Sequence, residues 1–201
     1  FDVDTRLRPN GEAGLLVTSF EGFRRYQQRE GDNTAWVWEH QALTRARFVC
    51  GDAAIGAAFE ALRREILCLP RDAAKLRGEV LAMREKMRAG HVNDSNLFDL
   101  KHDSGGIVDV EFCVQYLVLR HCPAHPELAD NAGNIALLQR AGTAGLIPAD
   151  TAQAAAGAYR ELRRQQHAIK LSGAEYARVP PAAVENVCDA VRALWNIVLG
   201  D

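Results

Sequence analysis

The 201 residues contain no run of about eighteen apolar residues, the length needed to cross a bilayer. The first residues carry Asp2, Asp4 and Arg6 where a secretory leader would be apolar. These absences predict a cytoplasmic protein without a membrane partner. An excess of one charge is also missing: Lys plus Arg is 24, Asp plus Glu is 26, and the formal net charge is −2. That balance argues against a dedicated nucleic-acid binder, which shows a clear basic excess. The five cysteines, Cys50, Cys68, Cys113, Cys122 and Cys188, include no Cys-x-x-Cys pair, so neither a disulfide framework nor a zinc ribbon is indicated. They read as reduced, mostly buried thiols. No internal repeat is present.

What is there is an ordinary globular composition, 48% hydrophobic and 25% charged, sized for one domain or one domain plus a piece of another. The chain starts on Phe1 and its first eight residues already alternate like the interior of a strand, so it reads as a fragment. Phe1, Val3, Thr5 and Leu7 fall on one face, and Asp2, Asp4, Arg6 and Arg8 on the other. Two carboxylates and two guanidiniums on one surface suit phosphoryl or nucleotidyl transfer, where carboxylates hold Mg²⁺ and cations neutralise phosphate oxygens. An edge strand with a solvated face is the competing reading.

Beyond Gly11 the pattern is helical. Thr18-x-x-Glu21 is a capping-box pattern opening a helix to about Arg29, and Thr34 can cap a second helix carrying Trp36, Trp38 and Leu43. Asp52 opens a third to Leu69 and Asp72 a fourth to about Ala89, with His91 to Gly106 a long loop. Ile107 to His121 has ten apolar residues among its first thirteen, so it is predicted to be the central buried helix. A helix over Asn134–Ala141, a long one from Pro148 to about Leu171 and a last one from Pro180-Pro181 to near Leu199 complete the set.

Two further constellations stand out. Asp99-Leu-Lys101-His-Asp-Ser-Gly105-Gly106 leads into the central helix, where glycine N–H groups at a helix N-terminus can cradle an anion. Asp109 and Glu111 lie about 200° apart on that apolar helix, and a buried carboxylate must be paired or protonated. Either one of them forms a structural ion pair with an arginine such as Arg45 or Arg47, or they act directly in a site. Glu39, with Leu43 and Arg47, falls on one face of the Trp-rich helix, beside the face of Gln41 and Arg45. The bland alternative is a core helix with surface arginines.

In combination, Val3-Asp4-Thr5-Arg6-Leu7-Arg8-Pro9, Gly11-x-x-Gly14, Ala35-Trp-Val-Trp38-Glu39-His40-Gln41-Ala42-Leu43, Asp99-Leu-Lys101 and Gly105-Gly106-Ile107 with Glu111-Phe112 resemble the bifunctional glutamine synthetase adenylyltransferase/adenylyl-removing family. The Trp-Glu-His-Gln-Ala-Leu wording is similar to its C-terminal, adenylylating half. The Gly-Gly motif is also similar to that of PII uridylyltransferases.

The resemblance implies a mainly α fold: a helical bundle domain over 51–201, preceded at 1–50 by the C-terminal remnant, one strand plus helices, of an α/β nucleotidyltransferase domain. It implies transfer of AMP from ATP to a tyrosine of glutamine synthetase, with Mg²⁺, and a PII signalling protein as a further partner. Asp4 matches the third of three catalytic carboxylates, with Asp2 a secondary metal ligand. Arg6, Arg8, Lys101, Gly105 and Gly106 become candidate nucleotide contacts, and Glu39, Arg45, Arg47, Asp109 and Glu111 candidate supporting residues. The Gly-Ser turn and Asp-x-Asp pair that carry the first two carboxylates in this family are missing from the 201 residues. The chain alone is therefore predicted to be inactive. Adenylyl removal, a PII uridylyltransferase-like activity and a non-catalytic helical docking module remain alternatives.

Overall fold

Eight α-helices dominate the computed structural model, which describes Thr5 and residues 8–200. They are α1 (Phe20–Gln27), α2 (Val37–Leu43), α3 (Ala53–Leu67), α4 (Ala73–Ala89), α5 (Ile107–His121), α6 (Asn134–Thr143), α7 (Ala149–Leu171) and α8 (Glu185–Val198). The mainly α class is as expected. Of the strand expected over 1–8, all but Thr5 and Arg8 lie outside the described residues. One small sheet that the sequence did not suggest pairs β1 (Phe98–Asp99) antiparallel with β2 (Arg178–Val179), Phe98 opposite Val179 and Asp99 opposite Arg178. Among the described residues, no helix is long and apolar enough to cross a membrane.

Local chemistry sets the helix starts. Asp52 accepts from the N–H groups of Ala54 (2.8 Å) and Ile55 (3.0 Å), satisfying two donors that α3 cannot pair internally. The cap of α1 is Ser19, whose Oγ accepts from Gly22 N at 3.1 Å, one residue later than the expected Thr18. Pro180-Pro181 opens a 3₁₀ turn (Pro181–Ala183) rather than the last helix itself, which starts at Glu185.

By compactness the chain divides into two units: one up to Asp72 together with Val118–Asn131, the other Ala73–Leu117 together with Ala132–Asp201. Helix α5 runs through this division, its residues to Leu117 belonging to the second unit and Val118 onward to the first. All ten of its predicted apolar residues, from Ile107 to Leu119, are buried, which confirms its expected place in the core. In the first unit Tyr26, Ala35, Leu43, Leu62, Ile66 and Leu67 are buried, and α3 contacts both α1 and α2.

In the second unit α7 packs on α6 and on α8. Small residues explain how closely α6 and α7 approach. A Cβ on Gly142 would stand 2.8 Å from the Cβ of Ala152, nearer than two carbons pack. The alanine-rich run of α7, with Ala152, Ala155, Ala156 and Ala158 buried, is thus a packing surface.

Candidate functional site

The first unit holds a cleft of about 280 Å³ lined by Arg8, Gln27, Glu39 and Arg45, with Phe23 and Leu43 as apolar walls. Arg8 is folded back on its own chain: Nε donates to Gly14 O (3.1 Å) and Nη1 to Thr5 O (2.6 Å), clamping the turn between them. Glu39 is buried and anchored at both oxygens. Tyr26 Oη lies 2.9 Å from each, and Oε2 also accepts from the Trp36 N–H at 2.9 Å, which caps the start of α2. Burial, reinforced by Glu39, pushes the Tyr26 hydroxyl above its ordinary pKa, so it stays a donor. Gln27, 4% exposed, has no partner for Oε1 among the described residues. Arg47 lies apart from these groups, on a shallower groove of about 580 Å³ walled by Phe20, Phe48, Val49, Ile55 and Phe59. Asp2, Asp4 and Arg6 lie outside the described residues.

The loop before α5 is built by its own carboxylates. Asp99 Oδ1 accepts from the N–H groups of Lys101 (2.9 Å) and His102 (3.0 Å), while Asp103 Oδ2 accepts from Asp99 N (2.8 Å) and Asn93 Nδ2 (2.8 Å). This Asx-type turn delivers the chain to Gly105, at φ +92°, and Gly106. Gly105 N donates to Asp109 Oδ2 (2.7 Å), Gly106 N to Asp103 O (2.9 Å), Ile107 N to Leu100 O (2.9 Å) and Val108 N to Lys101 O (3.1 Å). The anion cradle expected at these glycines is therefore filled from inside the chain. Their small size has a separate cause. A Cβ on Gly105 would sit 3.1 Å from both Cβ and O of Cys188, and one on Gly106 would be 2.9 Å from the carbonyl oxygens of Asp103 and Leu100. Gly105→Ala, which adds both that crowding and an unfavourable left-handed backbone, is expected to destabilise the chain by about 2 kcal/mol in urea unfolding.

Lys101 lines a different cleft, of about 410 Å³, with Lys170, Arg178, Tyr176 and the stacked rings of His91 and His102. The stack has its centroids 3.9 Å apart, and burial, with His91 adding to it, lowers the His102 pKa to about 4, so that ring is neutral at pH 7. Arg178 lies over the Tyr176 ring and 3.5 Å from Asp99. Gly105 and Gly106 line neither this cleft nor the one in the first unit.

Residues 1–62 match the family model described as glutamate-ammonia ligase adenylyltransferase, and residues 75–190 match that described as GlnD PII-uridylyltransferase. Over the whole chain, the bifunctional glutamine synthetase adenylyltransferase/adenylyl-removing enzyme of Burkholderia mallei is 59% identical and that of Ralstonia nicotianae 62%. The Nitrosomonas europaea enzyme is 50% identical, again over the entire chain. The chain belongs to the glutamine synthetase adenylyltransferase/adenylyl-removing family, with a GlnD PII-uridylyltransferase segment over residues 75–190. It spans about a fifth of these relatives, 22%, 21% and 23% of their lengths respectively.

In this adenylyltransferase-family segment the paired carboxylates of α5 have separate uses. Asp109 forms a buried ion pair with an arginine, but the partner is Arg84 rather than Arg45 or Arg47: Arg84 Nε to Asp109 Oδ1 is 2.6 Å. Sequence patterning carried a signal for it, since Leu76, Val80 and Arg84 repeat every four residues on the buried stripe of α4. Glu111, on the other side of α5, accepts from Tyr159 Oη at 3.0 Å.

Arg63 is a second buried arginine that sequence reading missed. It donates to the carbonyls of Leu43 (2.8 Å), Thr44 (3.1 Å) and Ala129 (2.7 Å), so it satisfies the end of α2 and ties it to the 118–131 segment. His40, 1% exposed, is held between Gln27 O (3.1 Å from Nε2) and Arg71 Nη2 (3.3 Å from Nδ1). Burial, and then the Arg71 cation, lowers its pKa to about 4. His121 and His125 have a four-residue spacing; α5 ends at His121, whose carbonyl accepts the His125 N–H at 2.9 Å. Among the described residues no three His, Cys, Asp or Glu side chains are placed to hold a metal ion.

Proposed function

We propose that these residues work within a cytosolic nucleotidyltransferase that moves AMP from ATP to a tyrosine of glutamine synthetase and so regulates nitrogen assimilation. The observation that carries this reading is the 59% identity, across the entire chain, to a relative named for glutamine synthetase adenylylation and adenylyl removal. In the transfer, the tyrosine hydroxyl oxygen bonds to the α-phosphorus of ATP as the bond to pyrophosphate breaks, and the hydroxyl proton is lost. Asp4 takes the place of the third carboxylate of the site, with Asp2 as a secondary metal ligand. Arg6 neutralises phosphate charge, and Arg8, bonded to Thr5 O and Gly14 O, holds the turn that leads to Gly14. Lys101 is a separate candidate phosphate contact, on the cleft it lines with Lys170 and Arg178. Residues 1–50 form the end of the transferase domain, and 51–201 its helical partner.

Mg²⁺ held in such a site would supply charge stabilisation for the attacking hydroxyl and the departing pyrophosphate. Asp4 and Asp2 are the ligands this chain would contribute, and the described residues do not by themselves form a cage for the ion. The test is AMP incorporation into glutamine synthetase by the complete enzyme carrying these residues. Asp4→Asn is expected to cut incorporation by at least about a hundredfold with unchanged helical circular dichroism, and the 201-residue chain alone should give none. Retained activity in Asp4→Asn, or labelling by the isolated chain, would refute the assignment.

A second reading rests on the GlnD PII-uridylyltransferase match over 75–190. In it the second unit is a docking module that engages glutamine synthetase or a PII protein. Binding of either by the isolated chain, together with full activity of Asp4→Asn, would favour this reading.

A further inference from the structure

Two cysteines far apart in sequence meet in the first unit. Cys68 directly follows α3 and Cys122 directly follows α5, and their Sγ atoms are 2.8 Å apart. That is within about 1 Å of the ~2.05 Å of an S–S bond. The backbone around them is fixed: Cys68 N–H donates to Arg64 O (3.1 Å), and Cys122 N–H to Val118 O (2.9 Å). Arg71 clamps the two helix ends together, donating to Ile66 O (2.6 Å) and Leu67 O (3.0 Å) at the end of α3 and to Leu119 O (3.3 Å) in α5.

We propose that Cys68 and Cys122 are a redox pair that a peroxide converts to an intramolecular disulfide. Accessibility sets the order of events. Cys68 is half-buried and Cys122 is buried, so the oxidant meets Cys68 first. Burial, and then the hydrogen bond with Cys68, pushes the Cys122 thiol up, so Cys122 keeps its proton until it meets the oxidised Cys68. The Cys68 thiolate attacks one oxygen of hydrogen peroxide, the O–O bond breaks, and a sulfenic acid forms with loss of one water. The Cys122 sulfur then bonds to the Cys68 sulfur and the S–O bond breaks. The second water leaves with the Cys122 proton. In sum, two thiols and one peroxide give one disulfide and two waters, and a dithiol reverses the change by exchange. Exposed Cys50 and buried Cys113 and Cys188 serve as internal controls.

The experiment treats the 201-residue chain with one equivalent of hydrogen peroxide, alkylates the remaining thiols and digests without reduction. The expected product joins the Cys68 and Cys122 peptides, two hydrogens lighter than their sum, and dithiothreitol separates them. Because the bond closes a long loop, the thermal midpoint should rise by about 5–10 °C. Cys122→Ser should instead leave Cys68 as a sulfenic acid that dimedone traps; where that variant does not fold, the cross-link in the unsubstituted chain decides alone. Alkylation of both cysteines after treatment, or advance of Cys68 to sulfinic acid without linkage to Cys122, would overturn the proposal.

Discussion

Asp109→Asn should lower the stability of the chain by about 3–5 kcal/mol, measured as a shift in the urea midpoint at constant slope. Both members of the Arg84–Asp109 pair are removed from water, with side chains 3% and 5% exposed. Asp109 accepts Arg84 Nε at 2.6 Å through one oxygen and Gly105 N at 2.7 Å through the other, and Arg84 Nη2 donates onward to His102 O at 2.8 Å. Arg84 Nη1 already has no partner among the described residues, so this guanidinium has little reserve. Asparagine removes the charge that balances the guanidinium and turns an amide donor toward either Arg84 or Gly105, where a donor is already present. The magnitude comes from the stranded cation more than from the lost bond, and that distinction can be measured. Arg84→Met combined with Asp109→Leu should lie within about 1 kcal/mol of the unsubstituted chain, because an apolar pair carries no desolvation cost. If the double variant is as unstable as the sum of the singles, the cost lies in packing and the electrostatic account fails.

Acidification should remove about 3 kcal/mol of stability through His40 alone. Its folded pKa, about 4, lies below the ordinary 6.5 because the ring is buried and faces the Arg71 cation. Above pH 6.5 the ring is neutral in both folded and unfolded chains, and it has no effect on the balance between them. As pH falls below 6.5 the unfolded chain takes up a proton that the folded ring refuses, so stability declines until the folded pKa is reached near 4. His102 shifts in the same direction but is more exposed, and it contributes less. The measurement is the free energy of unfolding from pH 7.5 to 4 for the chain and for His40→Gln, which keeps an N–H for Gln27 O. The two curves should converge as pH falls, with the variant less stable at pH 7.5 and the gap narrowing below pH 6.5. Parallel curves would exclude His40 as the titrating group.

The two arginines and this histidine mark where sequence reading stops. Helix α5 could be predicted from end to end because ten apolar side chains in one short segment cannot be satisfied except by burial. The start of α3 could be read because Asp52 caps it through groups two and three residues away. Both signals are local. The partner of Asp109 is 25 residues away, and the three carbonyls held by Arg63 are 19, 20 and 66 residues away. No spacing rule reaches that far. The β1–β2 pairing escaped for a related reason: each strand is two residues long, and Asp99 is matched with Arg178, 79 residues away. At Gly105-Gly106 the sequence marked a candidate anion cradle. What it could not distinguish was an anion pressing on the backbone from the approach of Cys188 and the carbonyls of Leu100 and Asp103.

The first unit is discontinuous, and this has a bearing on how the chain is made. During synthesis α1, α2 and α3 are complete well before residues 118–131 exist, yet Arg63 awaits Ala129, Arg64 awaits Asp130 and Arg71 awaits Leu119. Each of these three guanidiniums therefore passes through a stage in which one of its acceptors has not been translated. The segment up to Asp72 cannot finish folding until residues 118–131 have been made, and the interval covers the whole of residues 73–117.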